Sequence, residues 1–288
     1  MSALKSILWC LVCLLSFPAL PVQALEGGPR AIGTSEVPFK LVHDFLVVIP
    51  GRIGDLSGLK FILDTGSTHS TVNRKLARKL GVPLHRKQVF DFARFVQIES
   101  AVFSEVELGP IQLTNVSMLV GDLAHVSDFA DDADALIGSD LLSLNNFAID
   151  YDARKVFFDP VERPVSSTSP HPVGMIVELQ LQDRPVDVLV DTGVEGIVLF
   201  EDRLRSRIPQ LRIEGETDAI NVRGRSWARQ AILPMKIRLG TRAIDARVLV
   251  VKGPPANVLP GVDGYLGTAS LKATRIDFNF KTGTLSWK

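Results

Sequence analysis

The sequence predicts an all-β protein built of two similar lobes in tandem. Three observations carry that expectation. Short β-branched and apolar runs recur along the chain, each cut by Gly, Pro, Asp or Asn. The same pattern of motifs occurs twice in one order. A stretch rich in proline, serine and threonine, Asp159 to Pro172, stands between the two copies and reads as a linker.

The repeat is legible residue by residue. "FILDTGSTHSTV" has a counterpart in "VLVDTGVEGIVL", which sets Asp64 and Asp191 127 residues apart. "EVELGPIQLTNVSMLVGD" matches "MKIRLGTRAIDARVLVVK", with Gly109 against Gly240 at an offset of 131. "DALIGSDLLSLNNFAIDYDARKVFF" matches "DGYLGTASLKATRIDFNFKTGTLSW", with Gly138 against Gly267 at 129 and Asp150 against Asp277 at 127. Landmarks in one order at a nearly constant offset imply a duplication. The lobes are expected over 37–160 and 173–288, with the linker over 161–172.

Within the first copy, "HDFLVVIP", "LKFILDT", "VSMLVGD" and "KVFFDP" read as strands. In the second, "GMIVELQL", "VDVLVDT", "ARVLVVK" and "TLSWK" do the same. One helix is expected in copy one, Asn73 to Gly81, from its cap residue, basic content and closing glycine. Its equivalent, "FEDRLRSRIP", ends at a proline.

The first 24 residues read as a signal peptide. Lys5 precedes an apolar core, "ILWCLVCLLSFPAL", and Val22 and Ala24 suit the −3 and −1 positions of a cleavage site. An uncleaved anchor is the rival reading, but the run is short for a span and carries Pro18 and Pro21. Neither Cys10 nor Cys13 follows the small residue that a lipid anchor wants. Export to a bacterial periplasm or cell envelope, or secretion, is expected, with no membrane span after signal removal. Both cysteines fall in this segment, so the mature chain would carry no disulfide, no thiol nucleophile and no thiolate metal site. The 32 basic and 32 acidic residues cancel, which argues against nucleic acid as a partner.

An apolar strand that ends in Asp-Thr-Gly can hold a carboxylate in a partly buried place. The glycine lets backbone N–H groups approach it closely. A lone Asp-Thr-Gly is ordinarily a turn. Two copies at a repeated spacing are better read as a pair. Two carboxyls within about 3 Å cannot both be ionised, so they share a proton, and one can activate water while the other protonates a carbonyl.

Each Asp-Thr-Gly is followed by an apolar–apolar–Gly triplet, Leu136-Ile137-Gly138 and Tyr265-Leu266-Gly267. In this the chain resembles the aspartic protease clan of pepsins and retropepsins. Its "KLARKLGVPL" helix and "VELGPIQLTNVSMLVGD" segment are most similar to bacterial retropepsin-like proteases. The resemblance covers nearly all of the mature chain. It implies two retropepsin-like β-barrel lobes in tandem with a cleft between them. It implies an aspartic endopeptidase whose dyad is Asp64 and Asp191, acting on an extended peptide with no metal or organic cofactor. Thr65 and Thr192 would cross-bond the loops, and Ser67 would hydrogen-bond the outer oxygen of Asp64. Gly66 and Gly193 would complete the loops, and Gly138 and Gly267 would let a strand pass behind each. Mobile flaps would fall within Val89–Ser100 and Glu214–Ala228. A monomer with a bell-shaped pH profile and an acidic to mildly acidic optimum is expected.

Copy two departs from the pattern. Val194 stands where pepsins carry Ser or Thr and retropepsins Ala, and Glu195 is an extra acid near the motif. An inward-pointing Glu195 would raise neighbouring pKa values. Two alternatives therefore stand beside proteolysis by one chain: a protease-like module that binds peptides or envelope components without cutting, and a dyad formed by dimerisation through Asp64. The acidic run Asp128, Asp131, Asp132, Asp134 lacks the glycine and distal glutamate of a calcium loop and reads as a solvated connection. The histidines show no His-Glu-x-x-His spacing, and no Gly-x-Ser-x-Gly elbow is present. The arginines from Arg203 to Arg229 form a loose basic tract, read as a solvated face.

Overall fold

Strand-forming runs dominate the chain, and the computed structural model is accordingly mostly β. It describes residues 36–288 apart from 92–93, 124–132, 160–173, 206, 209–211, 222–223, 233–236 and 254–258. Before residue 36 it describes only 8–9, 14–15 and 30–31, each a two-residue strand. The expected linker, Asp128, Asp131 and Asp132, and nearly all of the expected signal peptide thus lie outside the described residues. Among the described residues no helix is long and apolar enough to cross a membrane.

Two ten-stranded sheets form, one from each half of the chain apart from a two-residue strand, Leu8–Trp9, that pairs into the second. Seven successive strands of the first are His85–Asp91, Arg94–Leu108, Ile111–Gly121, Thr71–Asn73, Ala135–Ile137, Leu56–Leu63 and Leu46–Ile53. The second runs Arg212–Asn221, Gly224–Ile232, Val248–Val251, Ile197–Phe200, Gly264–Gly267, Arg184–Asp191 and Ile176–Leu181. The order is the same, and so are the senses. Leu56–Leu63 is parallel to Ala135–Ile137, as Arg184–Asp191 is to Gly264–Gly267. Each sheet also curls back. Val106 pairs with Ile53 in the first, and Leu239 pairs with Leu179 in the second.

The ends of the two central strands are apolar without alternation. Phe61, Ile62 and Leu63, like Val188, Leu189 and Val190, are fully buried, the signature of a strand covered on both faces. Both flap spans expected from sequence fall on antiparallel hairpins, 85–108 and 212–232. The helix forms over Arg74–Lys79, where the Asn73 side chain accepts from the Lys75 N–H at 3.0 Å. Gly81 follows the helix end at φ +64°, the left-handed position that glycine suits. The second-half equivalent is shorter, Glu201–Leu204, and has no side-chain cap.

A third sheet draws on both halves, in the order Thr284–Trp287, Arg275–Asn279, Phe147–Asp150, Lys155–Phe158, Glu36–Pro38. Its central pair is antiparallel, and Ile149 faces Ile276. Those two residues are 127 apart in sequence, the same separation as the two Asp-Thr-Gly aspartates. Equivalent residues meeting face to face is what a local two-fold axis produces. Phe147 stacks on Phe278 beside it, ring centroids 4.7 Å apart.

Candidate active site

Asp64 follows the last residue of one buried strand and Asp191 ends the other, so both carboxyls are delivered at the C-terminal edges of parallel pairs. The Asp64 N–H donates to Ile137 O at 2.9 Å, continuing the ladder by one residue. Both aspartates are fully buried. Buried carboxylates need donors, and the turns supply them. Gly66 N–H and Ser67 N–H each donate to Asp64 Oδ1 at 3.0 Å, and Gly193 N–H donates to Asp191 Oδ1 at 2.7 Å.

The two loops are locked to each other by their threonines. Thr65 N–H donates to Thr192 Oγ1 and Thr192 N–H donates to Thr65 Oγ1, both at 3.1 Å. The Thr65 hydroxyl donates to Val190 O at 2.8 Å, and the Thr192 hydroxyl donates to Leu63 O at 2.7 Å. Every bond in the set has its mirror across the junction. At about 0.5–1.5 kcal/mol net for each, these four bonds are a substantial part of what holds the halves in register.

The carboxyls meet closely. A Cβ on Gly66 would overlap the Asp191 carboxyl, so only glycine fits there. The remaining oxygens, Asp64 Oδ2 and Asp191 Oδ2, are buried with no hydrogen-bond partner among the described residues. Burial first, then the charge of the nearby Asp191 carboxyl, hold Asp64 well above the usual carboxylate range. Asp191 is pushed up to about 6 by burial, against the hydrogen bonds that stabilise its ionised form. The pair therefore holds a shared proton.

Gly138 and Gly267 lie directly behind the loops. A Cβ on Gly138 would sit 2.8 Å from His69 C and 2.9 Å from Ser67 O. One on Gly267 would overlap the Val194 carbonyl. Ser67 meets Asp64 through its N–H, and its hydroxyl donates to His69 O at 3.0 Å.

Val194 does not face the dyad. It is fully buried in an apolar cluster with Leu189, Val198, Phe200, Leu249 and Tyr265. Glu195 is exposed, and the charges near it are Arg247 and His43, not either aspartate. The basic tract is partly structural: Arg203 donates to Leu259 O at 2.5 Å, Arg205 pairs with Glu201, and Arg207 pairs with Asp263. Asp134 accepts from Lys60 N–H at 2.9 Å and joins two strands.

Sequence reasoning missed Asp140. This half-buried carboxylate accepts the Ser70 N–H on both oxygens at 2.9 Å and the Ser70 hydroxyl at 2.6 Å. The available signal was an acid two residues past Gly138 together with a hydroxyl six residues past Asp64.

Residues 49–141 match the family model described as Aspartyl protease. No curated protein matches the chain. Among solved structures, one of a retropepsin-like aspartic protease from Rickettsia conorii is 21% identical, covering 44% of this chain and 91% of that one, at a TM-score of 0.34.

Proposed function

We propose, taking as premise that this chain is an aspartic-type peptidase of the retropepsin-like family, that it cuts polypeptides with a dyad formed inside one chain by Asp64 and Asp191. The supporting observation is the mirrored threonine lock, which joins the two Asp-Thr-Gly loops of a single chain. That lock favours two lobes, over 37–160 and 173–288, produced by duplication and sharing one site. Dimerisation through Asp64 would need the Asp191 loop to leave a place it already fills. The burial of Val194 in an apolar cluster supports an intact second loop.

In the reaction, a water held between the carboxyls loses a proton to the ionised member of the pair as its oxygen attacks the scissile carbonyl carbon. The protonated member gives its proton to the carbonyl oxygen. The first aspartate then passes its proton to the amide nitrogen as the C–N bond breaks, and a hydroxyl of the tetrahedral carbon returns a proton to the second, leaving the new carboxyl. The peptide would lie extended under the hairpins 85–108 and 212–232, paired as an added strand. An exported location follows from Lys5, the apolar core and the Val22/Ala24 site.

Activity needs one proton on the pair. It should be bell-shaped in pH, lost at low pH where both carboxyls are protonated and at high pH where both are ionised. The test is degradation of an unfolded protein substrate by the mature chain from pH 3 to 9, beside Asp64→Asn and Asp191→Asn, with size measured by gel filtration. Cutting by a monomer that either substitution abolishes supports the proposal. Activity that stays flat from pH 4 to 9, or that survives Asp191→Asn, sinks it.

A further inference from the structure

Asp140 has no place in the reaction above, yet it is among the best-connected acids of the first half. Besides Ser70, it accepts the Leu141 N–H at 3.0 Å. The Ser70 hydroxyl in turn accepts the Gly138 N–H at 2.9 Å. One residue away, Ser139 N–H and hydroxyl both donate to Ser67 O, at 2.7 and 2.9 Å. Ser67 is the residue whose own N–H holds Asp64. The segment 138–141 therefore clamps the first loop at both ends, Ser67 and Ser70.

The second half lacks this clamp. Ile197 and Ala269 stand in the places of Ser70 and Asp140. Thr268, in the place of Ser139, accepts instead from the Tyr151 hydroxyl at 3.0 Å. The other loop is held by packing of Val194 and Val198 within their apolar cluster, with Gly267 N–H donating to Gly196 O at 2.7 Å and the Ser270 hydroxyl donating to Glu195 O at 3.5 Å.

We propose that Asp140 is a positioning residue: it fixes the Ser70 end of the first loop while its neighbour Ser139 holds Ser67. This rests on the proteolytic reading, which it deepens. Asp140 acts through Ser70 on the loop that carries Asp64. Misplacing a catalytic group by a fraction of an ångström to 1 Å costs up to about 100-fold, so the expected effect falls on kcat.

The experiment compares Asp140→Ala and Asp140→Asn in the full mature chain, with active sites counted by pepstatin titration. Asp140→Ala should lower kcat per titrated site about 10–100-fold. Asp140→Asn, which keeps an acceptor for Ser70, should recover to within about 3-fold of the parent. Hydrogen exchange gives a readout that does not need activity. Asp140→Ala should speed exchange in 64–70 while leaving 191–197 unchanged. Unchanged kcat per titrated site, or equal exchange in both loops, would overturn the proposal. A parent chain that cuts nothing sinks the proteolytic reading, and the exchange comparison still decides whether Asp140 fixes the first loop.

Discussion

The loops 64–70 and 191–197 present the same carboxyl, threonine and glycine to the junction and are held from behind by different means. The first leans on a carboxylate clamp, Ser70 and Asp140, with Ser139 on Ser67. The second has no carboxylate in that place and leans on apolar packing around Val194, with Gly267 and Ser270 donating to its backbone carbonyls. The two loops share the residues at the junction and differ in what backs them.

The largest expected effect tests the shared face. Thr65→Val and Thr192→Val each delete two hydrogen bonds and leave a buried N–H of the opposite loop without its acceptor, at a cost of about 2–4 kcal/mol by urea unfolding. The two costs should agree within about 1 kcal/mol, since the bonds mirror each other. A large cost at one position alone would break the comparison.

Next comes the pH dependence of stability. Asp64, Asp140 and Asp191 all have raised folded-state values, with Asp140 and Asp191 near about 6 against an unfolded 3.8. For a raised group, the stabilising contribution is complete below the unfolded value and is lost as pH rises through the folded one. The melting temperature should therefore fall between pH 4 and 7. Asp191→Asn should flatten that fall, and thermal melts that rise over the same range would contradict the burial of these groups.

The smallest effect tests the backing. Val194→Ala should cost about 1–2 kcal/mol of stability by opening a small cavity while changing kcat/KM less than about 3-fold. A Val194→Ser variant that gains activity tenfold would place a hydroxyl at the dyad after all.

Much of this was legible in the sequence because the dyad face is built from local motifs. Asp-Thr-Gly, the triplets ending at Gly138 and Gly267, and the Asn73 cap each need only neighbours within a few residues. The clamp was not legible, because Ser70 and Asp140 are 70 residues apart and meet only once Ala135–Ile137 lies beside Leu56–Leu63. The setting of Val194 was not legible for a related reason. A motif position names a residue, but which way it faces is set by what packs behind it, here Tyr265 and Leu249.

The pairing of Ile149 with Ile276 has a consequence for how finely the two carboxyls can be spaced. A slip of one residue along that antiparallel pair would turn buried Phe147, Ile149 and Phe278 toward solvent. A slip of two would restore the faces but displace the halves by about 7 Å, more than twice the length of a hydrogen bond. The sheet therefore admits no intermediate setting. It works as a ruler with coarse divisions, and only one division leaves Asp64 and Asp191 close enough to share a proton.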